Sequence, residues 1–127
     1  MKNQTLLKGI VVAVSLYGMA FTPMAFADVS FKSQVKPIIH DYCLSCHQPG
    51  GQGYEKSGLD MRSYKSLMKG TKFGSIIKPG DSFSSIMIQL VEGRAHASIK
   101  MPFGTGGLAK DKVDVLKTWV DQGAKNN

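Results

Sequence analysis

The sequence predicts a small all-α domain. Its 127 residues are too few for more than one ordinary domain. Four segments carry apolar residues at helical spacing, whereas no segment alternates convincingly as a half-buried strand does. Neither an internal repeat nor a low-complexity tract interrupts this pattern. We therefore expect helices that form the core and loops that connect them.

The first 27 residues have the features of a secretory signal peptide. Lys2 and Lys8 form a basic start, and the uncharged, mostly apolar stretch IVVAVSLYGMAF follows. Ala25-Phe26-Ala27 fits the small-x-small cleavage rule. We expect residues 1–27 to be removed, leaving residues 28–127 as a periplasmic domain without membrane insertion. The alternative is a retained anchor, since the uncharged run is nearly long enough to span a bilayer.

The remaining domain is moderately basic. It holds 14 basic and 9 acidic side chains, which gives a net charge of +5. No arginine-rich run or cluster of aromatic residues accompanies this charge, so we expect no nucleic-acid partner. A set of lysines outnumbers the nearby acids and is suited to steering an acidic partner protein. These are Lys32, Lys36, Lys56, Lys65, Lys69, Lys72 and Lys78.

The first predicted helix covers SFKSQVKPIIHDYCLSCH. Four residues share one apolar face of it: Phe31, Val35, Ile38 and Tyr42. Pro37 fits this helix if Ser33 is the N-cap, because a proline in the first turn needs no backbone donor. Otherwise the helix is expected to kink at Pro37.

Three further helices are predicted. Ser63 caps the second, SYKSLMK, and Gly70 ends it. Asp81 is expected to cap the third, DSFSSIMIQLVEG, which ends at Gly93. The fourth is KDKVDVLKTWVDQG, and Gly123 is its expected stop. Its apolar face consists of Val113, Leu116 and Val120.

Two glycine-rich loops lie between these helices, at Gln48–Gly58 and Ile99–Gly107. Glycine allows a backbone to turn tightly or to pass close to a flat ligand. The GTGG stretch of the second loop lacks a preceding strand and a following Lys-Ser/Thr, so a phosphate site is not predicted.

The chain has only two cysteines, and both lie in the stretch CLSCH. A thioredoxin-like pair needs a βαβ frame, and a structural zinc site needs four ligands. The sequence offers neither, and both interpretations leave His47 without a role. C-x-x-C-H is the attachment signature of c-type haem. On one helical turn, Cys43 and Cys46 can reach two vinyl groups while His47 offers a nitrogen to iron. We therefore predict one covalent haem c.

The second axial ligand of the iron requires its own evidence. Met101 precedes Pro102, which favours an extended conformation in a loop that can present a thioether. Met101 is therefore the expected sixth ligand, and His96 is the alternative. Three other methionines occur in packing contexts, where methionine usually fills the core. They are Met61, Met68 and Met87.

Several segments resemble class I c-type cytochromes, and more narrowly the single-haem domain frequent in planctomycete proteins and other exported bacterial cytochromes. The matching pieces span nearly all of residues 31–124 in the order of that family. They are FKSQVKPIIHDYCLSCH, SGLDMRSYKSLMKG, IIKPGDSFSSIMIQLV and KMPFGTGGLAKDKVDVLKTWVDQGA.

This resemblance implies a site and a fold. Cys43 and Cys46 would form the thioethers, with His47 as the proximal and Met101 as the distal iron ligand. The implied fold is a small cytochrome c domain of about four helices around the haem. Its first and last helices cross, which would make partners of one aromatic residue from each: Phe31 and Trp119.

Two functions are compatible with these features. Ligation by His47 and Met101 fills both axial positions of the iron, which favours a one-electron carrier that is not an enzyme. Its partners would be redox proteins, with docking surfaces that carry acidic groups. The alternative is a haem-based ligand-binding sensor with a labile sixth site, or a cytochrome subunit of a larger periplasmic oxidoreductase.

Overall fold

The computed structural model describes residues 27–127. The predicted signal peptide therefore lies outside the described residues, apart from Ala27. Within the described range the chain forms five α-helices and no strand, which confirms the all-α prediction. None of these helices is long and apolar enough to cross a membrane. The helices are α1 (Lys36–Tyr42), α2 (Gln52–Ser57), α3 (Tyr64–Lys69), α4 (Ile86–Glu92) and α5 (Lys110–Asp121).

A π-helical turn, Phe31–Val35, precedes α1. Its N-cap is Ser30, whose hydroxyl accepts a hydrogen bond from the Ser33 backbone N–H at 3.3 Å. The prediction that Ser33 is the N-cap is therefore wrong. Pro37 lies in the first turn of α1, where its missing N–H does no harm. The change from π-helix to α-helix immediately before Pro37 is how the chain accommodates the proline.

The π-turn also changes which residues of the first helix face the core. Phe31 and Val35 are buried as predicted, and Ile38 is partly buried against the core. Ile39, which the prediction omitted, is buried as well, whereas Tyr42 remains 43% exposed. A π-turn holds more residues per turn than an α-helix, so it rotates every later position around the axis. The apolar face predicted from regular α-helical spacing is therefore wrong only at its end, where it included Tyr42 and omitted Ile39.

Helix α2 lies where the sequence predicted only a glycine-rich loop. It begins after Gly51 without a side-chain cap and ends at Gly58, which adopts the left-handed conformation with φ of 72°. Six residues are too few to show helical periodicity, and glycine lowers helix propensity. For these two reasons the sequence did not predict this helix.

The second and third predicted helices differ in how well their starts were predicted. Ser63 and Ser66 form a reciprocal capping box at the start of α3, and Gly70 ends that helix, as expected. Asp81 does not cap α4, which begins after Ser85. The Asp81 carboxylate instead accepts hydrogen bonds from the Ser84 N–H and the Lys78 ammonium in the preceding turn.

The core contains the contact between the first and last helical segments. Trp119 of α5 is fully buried, and its ring centroid lies 5.5 Å from that of Phe31. The three residues of the predicted α5 face, Val113, Leu116 and Val120, are buried as well. Contact between the two segments is thus present, whereas the crossing of the helices around a haem stays a prediction.

The two ends of the described chain are joined by hydrogen bonds. The Asn127 carbonyl accepts from the Lys32 N–H at 3.0 Å, and the Asn127 side chain accepts from the Phe31 N–H at 2.8 Å. Lys125 also forms a 2.7 Å ion pair with Asp28. These contacts add to the packing that holds α5 against the first helical segment.

Candidate functional site

The CLSCH segment forms a turn at the end of α1. The Cys43 N–H donates to the Ile39 carbonyl at 2.9 Å, which continues the helix to the first cysteine. The N–H groups of Cys46 and His47 both donate to the Cys43 carbonyl, at 3.2 and 3.0 Å. Both cysteines are free thiols. The structure therefore places the three predicted haem-binding residues of this motif on one turn.

The two thiols differ in their surroundings. Cys43 is partly buried against the hydrophobic core, whereas Cys46 is exposed. Burial raises the pKa of the Cys43 thiol to about 11, and the neighbouring Cys46 adds to this effect. Because the reactive form of cysteine is the thiolate, burial makes Cys43 a weaker nucleophile than an exposed thiol. This property does not favour a thiol redox pair.

The His47 ring is half-buried, and its Nδ1 atom is enclosed without a closely aligned hydrogen-bond partner within residues 27–127. Burial lowers the pKa of His47 below its ordinary value, and the backbone of Leu59, which faces the ring, acts in the opposite direction. With Nδ1 enclosed, Nε2 is the nitrogen left to bind a metal.

Helix α2 covers the back of the CLSCH turn. The Tyr54 N–H donates to the Cys46 carbonyl, and the Met61 N–H donates to the His47 carbonyl, both at 2.9 Å. Gly51 and Gly53 lie at the contact. A Cβ atom at Gly51 would be 2.4 Å from the Cys46 carbonyl oxygen, which is closer than real contacts allow. The loop glycines therefore allow the backbone to approach this turn, a role the sequence alone did not reveal.

Met101 lies in a separate loop that α4 holds in place. Its N–H donates to the Leu90 carbonyl at 3.1 Å, and its half-buried side chain packs against the same core as Cys43. The adjacent Lys100 ammonium donates to the Gly106 carbonyl at 3.1 Å and so closes the loop. Met101 as an iron ligand stays a prediction.

His96, the alternative ligand, is exposed. Its Nδ1 accepts a hydrogen bond from the Ser98 N–H at 3.2 Å and lies 2.8 Å from the Ser98 hydroxyl. The imidazole thereby caps the short 3₁₀-helix Ala97–Ile99. This local role accounts for His96 without a metal.

The predicted lysines fall into separate parts of the surface. Lys32, Lys36 and Lys65 line a groove of about 360 Å³ that none of residues 43–58 helps to form. Lys72 lies in another part of the surface. Its backbone N–H donates to the Ser57 carbonyl at 2.9 Å, which places it beside the end of α2. Lys56, on α2 itself, is next to that contact. Lys56 and Lys72 therefore adjoin the helix that covers the CLSCH turn.

Comparison with known proteins gives one match. Residues 43–102 match the family model described as Planctomycete cytochrome C. Residues 43–102 are thus similar to a planctomycete-type cytochrome c domain. The matched segment begins at the first cysteine of CLSCH and extends past Met101. No curated protein and no solved structure matches the chain.

Cytochrome c domains carry covalent haem c with its iron and transfer electrons through it, and the residues of this domain fit such a group. Two free thiols lie on one turn with His47, whose buried Nδ1 leaves its other nitrogen for iron. Near Met101, the side chains of Ile99 and Phe103 are 48% and 71% exposed. Apolar side chains exposed in this way suit contact with a large apolar cofactor.

Proposed function

We propose that residues 28–127 form an exported mono-haem c-type cytochrome that carries one electron at a time in the periplasm and is not itself an enzyme. The observation that carries this proposal is the CLSCH turn, which holds two free thiols and a half-buried histidine inside the matched segment. The haem, when bound, supplies an iron that alternates between its ferrous and ferric states.

In this proposal each residue of the motif has a defined task. The Cys43 and Cys46 thiols would hold the haem covalently, each through one thioether bond. His47 binds iron through Nε2, because its Nδ1 is buried. Met101 supplies the sulfur of the sixth ligand and so keeps other molecules from the iron. Methionine as an axial ligand also raises the reduction potential relative to a second histidine.

The partners proposed for this cytochrome are redox proteins with acidic docking surfaces. Electron transfer needs the partner to come near the attached haem, and Cys46 is the exposed end of the attachment turn. Lys56 and Lys72 adjoin the helix that covers this turn. We therefore assign the docking role to these two lysines rather than to the groove lined by Lys32 and Lys36.

An absorption spectrum and acid-acetone extraction of the purified protein test the central proposal. We expect a low-spin haem spectrum, one haem for each chain, and haem that stays with the protein during extraction. Replacing both Cys43 and Cys46 with Ala should abolish covalent haem and leave the chain poorly folded. Ser45→Ala, in the same turn, should retain the haem. Haem that is extracted from the natural protein, or retained by the double variant, would overturn the proposal.

A further inference from the structure

The groove of about 360 Å³ is the most positively charged concave surface of the described chain. Lys32 and Lys36 line it from the first helical segment, and Lys65 lines it from α3. No acidic side chain is among its lining residues within the described range. Arg62 also lines it, but its guanidinium already donates to the Asp60 carboxylate, at 2.8 and 3.0 Å. The groove therefore offers three ammonium groups to an anion from outside.

The three groove lysines differ from other lysines of the described chain in lacking an ion pair. Five lysines within residues 27–127 pair with carboxylates at N–O distances of 2.5 to 3.3 Å: Lys78, Lys110, Lys112, Lys117 and Lys125. Lys32 and Lys36 are also four residues apart in one helical segment, where like charges repel and destabilise the helix. An anion bound in the groove would relieve this repulsion.

The groove presents apolar as well as charged surface. Met61 and Tyr64 are half-buried residues of its lining. Both are held in place, because the Tyr64 hydroxyl donates to the Ala124 carbonyl at 2.8 Å and the Met61 N–H donates to the His47 carbonyl at 2.9 Å. A fixed apolar surface bordered by cations suits a ligand that carries both carboxylates and an apolar side chain.

The length of the groove fits a short piece of extended chain. Its lining residues in the first helical segment run from Phe31 to Ile39, which is about 12 Å along a helix at about 1.5 Å per residue. An extended chain covers this distance in about four residues, at about 3.3 Å each. None of residues 43–58 lines the groove. A segment bound there is therefore not the part of a redox partner that must approach the CLSCH turn.

We propose that this groove binds a short, extended acidic segment of a partner protein other than the redox partner. Carboxylates of the segment pair with Lys32, Lys36 and Lys65. An apolar side chain of the segment packs against Met61 and Tyr64. The domain is thereby attached to a partner while the CLSCH turn stays accessible. This inference goes beyond the proposed function and does not rest on it, because no groove residue is assigned to the haem.

The synthetic peptide EEYEE, with both ends blocked, is a suitable probe of the purified natural protein. Calorimetry should show saturable binding of one peptide for each chain, and added salt should weaken it. NMR of the labelled protein should show shifted signals for Lys32, Lys36 and Lys65. The peptide QQYQQ, which lacks the charges, should not bind. The peptide EEGEE, which lacks the aromatic ring, should bind more weakly.

Two double variants make the same change of charge in different places. Lys32→Glu with Lys36→Glu should weaken binding of EEYEE about tenfold or more, since two attractions become repulsions. Lys56→Glu with Lys72→Glu alters lysines that lie outside the groove and should weaken it much less. Circular dichroism checks that both variants are folded. If the groove variant does not fold, Lys65→Gln replaces it, and its affinity should also fall.

Several outcomes would overturn the proposal. These are absence of saturable binding, signal shifts that lie outside the groove, and equal weakening by the two double variants, which would indicate net charge alone. Equal binding of EEYEE and EEGEE would contradict the role of the apolar surface. Self-association of the natural protein that Lys32→Glu with Lys36→Glu abolishes would identify a second copy of the chain as the occupant instead.

Discussion

The rings of Phe31 and Trp119 lie with their centroids 5.5 Å apart, at an interplanar angle of 36°. Tyr64 meets the Phe31 ring edge-on at 5.2 Å, and its hydroxyl donates to the Ala124 carbonyl at 2.8 Å. Three helical segments far apart in the chain therefore meet in one aromatic cluster. Because aromatic side chains bury the largest apolar areas, this cluster should contribute much of the stability of the fold.

Trp119→Ala should lower the free energy of unfolding by about 3–5 kcal/mol, the usual cost of truncating a buried aromatic side chain. Phe31→Ala should couple to it by about 0.5–1.5 kcal/mol in a double-mutant cycle, because the two rings touch. Denaturant unfolding of the haem-loaded protein measures both. Phe83→Ala removes a ring that is 76% exposed and is the matched control. Strict additivity of the two core changes would show that the contact contributes no energy of its own.

Met101→Ala should remove the far-red charge-transfer band of the oxidised protein, lower the reduction potential and open the iron to carbon monoxide. Met87→Leu alters a buried methionine of α4 and should keep the band, as should His96→Ala. Absorption and redox titration follow all three variants. A natural protein without the band, whose spin state depends on His96, would mean that histidine is the sixth ligand. A five-coordinate natural protein would favour the sensor.

Replacing Lys56 and Lys72 with Glu should slow electron transfer to an acidic redox partner and weaken the dependence of the rate on salt. Both lysines adjoin the helix that covers the CLSCH turn. Lys32→Glu with Lys36→Glu makes the same change of charge in a groove that contains none of residues 43–58. Stopped-flow rates at several ionic strengths compare the two pairs. Equal slowing by both would indicate that net charge, and not a local docking surface, controls association.

Glu92→Gln should make the free energy of unfolding depend less on pH. The Lys117 ammonium lies 2.6 Å from the Glu92 carboxylate, and this bond, with a second from Arg94, holds the pKa of Glu92 below its ordinary value of 4.5. A depressed folded pKa means that the charged form stabilises the fold above pH 4.5 and that this contribution disappears as pH falls through the folded pKa.

The free energy of unfolding should therefore differ between natural protein and Glu92→Gln by about 1 kcal/mol at neutral pH. This difference should shrink below pH 4.5. Denaturant unfolding across the pH range measures it. Asp114→Asn breaks an exposed ion pair with Lys110 and should change stability little. If the free energies of unfolding of the natural protein and of Glu92→Gln differ by a constant amount down to low pH, the electrostatic explanation is contradicted.

Much of the helical framework could be predicted, because local signals specify it. Ser63 and Gly70 are capping residues whose effect on the backbone depends on few neighbours, and both are correct. The full burial of Ile39 could not be predicted, since the π-turn before Pro37 changes the helical period. Asp81 failed as a cap because its carboxylate had closer donors in its own turn.

The residues of the candidate site also differ in how well the sequence predicts them. The motif CLSCH predicts a haem site by itself, since two cysteines and a histidine at that spacing suit one cofactor. The close approach of Gly53 to the His47 ring could not be predicted from the sequence, because it depends on where α2 lies in three dimensions. Met101 rests on its loop context and on the resemblance, and its ligation stays a prediction.

The hydrogen-bonded ends of the domain have a consequence for protein engineering. Asp28 is tied to Lys125, and Asn127 to Phe31 and Lys32, so the polypeptide enters and leaves at one point of the surface. A domain with adjacent ends can be inserted into a loop of a host protein without separating the two ends of that loop. It can also be circularly permuted with a short linker. Residues 28–127 are accordingly suited to genetic insertion into a host protein as one unit.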